Sequence, residues 1–153
     1  MQTEQLLDAI ASAAGAAVKF PAIPLGTSAA ALPDGEYKHP FLEAFGRPAR
    51  AMVCECERDT DTNLGQALHL VGGRTVHALL HDPAGRAARL SASSLPDEKV
   101  IEVLFLACLS RVPSAEERGL LLDKLHKPGS DRRRIVEDML WALVNHKEFL
   151  FQH

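Results

Sequence analysis

The residues most able to do chemistry in this 153-residue chain fall in one short stretch, Cys54-Glu55-Cys56-Glu57-Arg58. Two thiolates one residue apart can hold a soft or borderline metal such as zinc. A structural zinc site needs four ligands, so two further donors must come from elsewhere. His69, His77 and His81 are the suppliers the sequence offers. His77 and His81 stand four apart, which places both rings on one face of a helix. Cys54, Cys56 and His69 form the candidate metal set. No Cys-x-x-Cys pair accompanies them, and the competing reading is two small thiols turned into a core, with histidines facing solvent. A disulfide joining Cys54 to Cys56 would close a strained ring.

Other chemistry is less complete. A cysteine nucleophile would need a histidine base, and Cys108 lies in the most apolar segment of the chain, where a thiol is inert. Ser110 and Ser114 lack the turn that presents a nucleophilic serine. Glu55 and Glu57 share one side of an extended segment, and a hydrolase could use either as acid or base. The plainer reading pairs them with Arg47, Arg50 or Arg58 in a salt-bridge cluster. Gly72-Gly73 does not follow a strand, and no glycine-rich phosphate loop exists. Arg132-Arg133-Arg134 opens a helix against its dipole, with Asp131 offsetting part of the charge. It reads as a solvated face, or else as a contact for an acidic partner. No catalytic set emerges, and no bound cofactor is expected unless the thiols hold zinc.

Composition narrows the classes further. Hydrophobic residues make up 46% and charged residues 24%, the profile of one globular domain. Aromatics are only 5%, which argues against a sugar-stacking cleft. Seventeen bases face twenty acids, a net charge of -3, so no basic surface is available to grip nucleic acid. No apolar run reaches the roughly 18–20 residues of a membrane span. No signal-peptide pattern opens the chain, and three cysteines are too few for a disulfide scaffold.

The elements that must position these residues are helical. Residues 1–15 read as a helix, with Thr3 as cap, Leu6, Leu7, Ile10 and Ala14 at helical spacing, and Gly15 as the stop. Residues 16–40 hold Pro21, Pro24, Pro33 and Pro40 and can sustain neither a helix nor a central strand. Val18, Phe20, Ile23, Leu25 and Leu32 suggest an extended strap packed over the helices. Residues 41–61 carry a short helix, Pro40 to Phe45, closed by Gly46, and then the cysteine segment, whose alternation from Val53 reads as extended.

Residues 62–153 read as the helical core. A helix capped by Thr62 or Asn63 runs to Val71, and shorter ones follow at 75–81 and 85–92. Asp97 to Ser110 is apolar nearly all round, with Val103, Leu106 and Ala107 adding to its buried residues, and belongs in the centre of a bundle. Ser114 and Glu117 form a capping box for a helix to about His126. Ser130 or Asp131 caps the last long helix, and the apolar tail 148–151 docks. The expected fold is all-α: a compact bundle of six or seven helices in a single domain, residues 1–153, with a proline-rich strap and a short extended cysteine-containing segment.

Five motifs occur in order: Phe45-Gly46-Arg47-Pro48; Cys54 to Arg58; Gln66-Ala67-Leu68-His69-Leu70; Leu109-Ser110-Arg111 with Pro113-Ser114-Ala115-Glu116-Glu117; and Asn145 to Phe151. Together with Glu4 to Ile10 they resemble the C-terminal part of a domain-of-unknown-function family. Its members are the "PSD" domains of large planctomycete proteins that also carry a predicted cytochrome c domain. The resemblance spans nearly the whole chain. It implies an exported or periplasmic parent and no established reaction; strong core patterning, many helix caps and no complete active-site set point to a non-catalytic interaction or scaffolding role, with other domains of that parent or a separate protein as partners. The chain would then be the C-terminal piece of something larger, or a short member. No Cys-x-x-Cys-His is present, so this chain holds no c-type haem itself. Cys54, Cys56, Arg58 and His69 fall on the family's pattern, whereas His77 and His81 do not.

Overall fold

A computed structural model describes residues 3–21, 23–32, 39, 41–42 and 73–150. Among these the protein is all-α, with seven α-helices, one 3-10 turn and no strand. The helices are α1 (Thr3–Ala14), α2 (Arg74–Leu80), α3 (Arg86–Ala92), α4 (Asp97–Leu109), α5 (Ala115–Leu125), α6 (Arg132–Val144) and α7 (Lys147–Leu150), with the 3-10 turn at Ala29–Ala31. Phe41 and Leu42 are helical as well, and fully buried. The rest of the expected 40–45 helix, the cysteine segment and the expected helix ending at Val71 lie outside the described residues.

The helix ends follow from local sequence. Gly15 takes φ +59°, a conformation open to glycine at little cost. It lets the Gly15 N–H reach the Ser12 carbonyl and the Ala16 N–H reach Ala11, both at 3.1 Å, the paired closure of a Schellman end. Arg86 then donates to the Ser12 and Ala13 carbonyls from α3. Ser114 and Glu117 make the reciprocal capping box at the start of α5. Of the two candidate caps for α6, Asp131 is the one used: its carboxylate accepts from the Arg133 and Arg134 N–H groups. Ser130 turns the other way and donates to the Leu125 carbonyl at 2.7 Å, near the end of α5.

The core lies along α4 and α6. Val100, Ile101, Leu104, Val136, Leu140 and Val144 are fully buried, and α1 adds Leu7 and Ile10. Among the described helices the most extensive contact is α3 with α6, followed by α4 with α6. Phe149 of α7 is buried and Leu150 packs beside it, so the tail docks as far as residue 150; Phe151 lies outside the described residues.

Two burial expectations are corrected. Leu106 is 46% exposed, and Val103 and Ala107 are only half-buried. A helix apolar on every side gives no signal of which side faces water; the neighbours decide, and α4 keeps one edge open. Leu25, placed with the packed strap residues, is 69% exposed, while Val18, Phe20 and Leu32 are buried. It sits in a turn beside Gly26, whose φ is +91°, and the turn carries its side chain outward. Residues 22, 33–38 and 40 of the strap lie outside the described residues.

Candidate functional site

Cys54, Cys56 and His69, together with Glu55, Glu57 and Arg58, lie outside the described residues, so the geometry of that set is not on view. The described part of the chain contains four polar constellations, each joining neighbouring helices or the turns between them.

The first joins α4, α5 and α7. Ser110 follows α4 in the left-handed conformation, φ 54°, and turns the chain so that Arg111 points back across the bundle. Its guanidinium donates to both Glu117 oxygens at 2.8 and 2.9 Å and to Glu148 at 2.8 and 3.2 Å, with its carbon 5.3 Å from the centre of the Phe105 ring. Arg111 thereby holds the Glu117 carboxyl at about 2, helped by the Ser114 N–H. It also holds Glu148 below the usual carboxylate range. The two carboxylates push the guanidinium's own pKa higher still.

The second corrects the reading of Arg132-Arg133-Arg134 as a solvated face. Arg132 reaches back to the α3–α4 connection and donates to the carbonyls of Ser91, Ser93 and Leu95 at 2.8–3.1 Å and to the Asp97 carboxylate. His126 meets the other Asp97 oxygen at 3.2 Å. Arg133 pairs with Glu137 one turn on. Arg134 alone of the three is exposed. Three bases at a helix start are tolerated because two are bonded to carboxylates and carbonyls and Asp131 caps the end.

In the third, Asp8 accepts from the Ser28 hydroxyl and from the Ala29 and Ala30 N–H groups, capping the 3-10 turn from α1. Beside it lies an open cleft of 470 Å³ lined mainly by small residues, among them Ala11, Ser12, Gly15, Ala16 and Gly26. The fourth pairs His77 and His81, four apart as the sequence requires, with ring centres 4.0 Å apart. His81 Nδ1 lies 2.7 Å from Glu137 of α6. Cys108 is buried, and its thiol is pushed up to about 12 by that burial. Among the described residues no three His, Cys, Asp or Glu side chains converge as metal ligands, and no helix is long and apolar enough to cross a membrane.

Residues 28–125 match the model of the family PSD1, protein of unknown function (DUF1553). The chain belongs to this family. The PSD1 match takes in the whole cysteine segment, His69 and helices α2 to α5, and it stops short of α6 and α7. Comparisons with the curated proteins and with the solved structures found no match.

Leu109 to Glu117 and Asn145 to Phe151 stand out as motifs in the sequence, but the sequence alone gives Arg111 no task. The available signal was the one base of the first motif set against the acids of both. It could not be used without knowing that α5 and α7 meet at the end of α4.

Proposed function

We propose that this PSD1 chain is a non-catalytic helical docking module within a larger exported planctomycete protein, where it supports the other domains of its parent. The observation that carries this reading is how the charged groups are used. Arg86, Arg111 and Arg132 join one helix to another, or to the loop beside it, and Arg133 pairs with Glu137 along its own helix, rather than converging on a cleft. The cleft beside Asp8 offers mainly alanine, glycine and serine surface, which suits close approach of a chain better than acid–base chemistry. The test is removal of residues 1–153 from the full-length parent, followed by size-exclusion chromatography and immunoblotting. The reading expects a shift in assembly state or a loss of abundance; an unchanged parent refutes it.

A second reading places a soft-metal or redox-linked site at Cys54 and Cys56 with His69. It is favoured by two thiols one residue apart inside the family-matched span. Metal analysis of untagged protein tests it. Structural sites are nearly full, so a content below about 0.2 metal per chain, with both thiols inert to mild oxidants, rules it out.

A further inference from the structure

His77 and His81 stand apart from the residues discussed under function. His77 is the last-turn residue of α2 and His81 is its C-cap, where the His81 N–H returns to the His77 carbonyl at 3.0 Å. The helix repeat therefore brings the two rings over one another, tilted by 40° at 4.0 Å, and both residues are exposed. Behind them lies a fixed carboxylate. Glu137 is only 11% exposed, and Arg133 holds its second oxygen. An ionised carboxylate only accepts hydrogen bonds, so the ring nitrogen facing it, His81 Nδ1, carries the proton. In the neutral ring the lone pair is then on Nε2, turned away from Glu137. A carboxylate that fixes the tautomer of an imidazole in this way is the usual support behind a metal-ligating histidine.

We propose that His77 and His81 form a two-imidazole site for a borderline divalent transition metal. Glu137 acts as the positioning group for His81. With no third side chain of the ligating types converging among the described residues, water completes the coordination shell. Imidazole suits nickel, copper and zinc. Arg133 offsets the charge of Glu137, so the ion is held by ring nitrogens rather than by a field of negative charge. This proposal is independent of the docking reading and of Cys54, Cys56 and His69.

Calorimetric titration of the untagged full chain with Ni2+, which leaves thiols unoxidised, tests it. One ion per chain is expected. His77→Ala and His81→Ala should each weaken binding at least ~10-fold, and Glu137→Gln by roughly 10-fold, as for other groups supporting a ligand. Cys54→Ser/Cys56→Ser should bind as the unchanged chain does, which separates this site from the thiol one. Zn2+ titration of the ring 15N signals of the unmutated protein gives a readout free of any folding defect in the variants: the His77 and His81 signals should move together. Undiminished Ni2+ binding in the His77→Ala/His81→Ala variant, loss of binding in the cysteine variant, or ring signals that stay still would each overturn the proposal.

Discussion

Arg111 shows how one side chain ties three helices. Its planar fork matches two carboxylates at once, which a lysine could not do. Because Glu117 is held at about 2 against an ordinary value near 4.5, the stability it lends is fully present at neutral pH. That stability is lost as pH falls from about 4.5 through 2. Glu148 shifts in the same direction and adds to the slope. Both partners of the Arg111–Glu117 pair are about one-third exposed, so solvent screening limits the contribution to about 1 kcal/mol or less. Urea unfolding of the wild type and of Arg111→Met between pH 6 and pH 2.5 should therefore show curves that differ at pH 6 and converge at the acid end. A constant offset across that range would contradict the assignment.

At the scale of elements, caps and connections decide where each helix stops. Removing the Ser114 hydroxyl leaves a helix-start N–H without its partner and should cost about 1 kcal/mol. Arg132→Gln should cost more, roughly 1.5–3 kcal/mol, because hydrogen bonds from a charged donor to three carbonyls and a carboxylate are lost together. Chemical denaturation of both variants checks the order, and equal losses would refute it. The two cases differ in how readable they were. The capping box, the Asp131 cap and the Gly15 stop are signals of four residues or fewer, and they were legible as sequence. The Arg132 clamp joins residues 91–97 to residue 132, a separation at which a run of three arginines says nothing about its partners. Leu106 was misplaced for a related reason: with apolar side chains all round α4, the neighbours rather than the periodicity choose the exposed edge. For Cys54, Cys56 and His69 the legible part was chemical, namely ligand types and spacing. Their arrangement in space depends on contacts that no spacing rule supplies.

At the scale of the molecule, the buried hydrophobic residues among those described, Ala88 apart, form one continuous core from α1 to α7, so opening it should be a concerted event. Cys108 reports on that event. With Cys54 and Cys56 replaced by serine, the remaining thiol should react with a disulfide reagent at pH 8 far more slowly in the folded chain than in urea, since burial both shields it and keeps it protonated. Leu104→Ala, expected to cost 2–5 kcal/mol at a fully buried site, should accelerate the folded-state reaction. Labelling that ignores both urea and the substitution would show that Cys108 is reached without opening the core. The placement of α1 carries a further consequence. It packs against α2, α3, α4 and α6, all made after it. At about 5–20 residues per second, a ribosome needs roughly 5–25 seconds to extend the chain from α1 to α6. During that interval Leu6, Leu7 and Ile10 have no completed surface to settle on. The newborn chain thus holds the apolar face of α1 in the open until the later helices have been made, and chaperones that recognise such stretches have their longest opportunity at that helix.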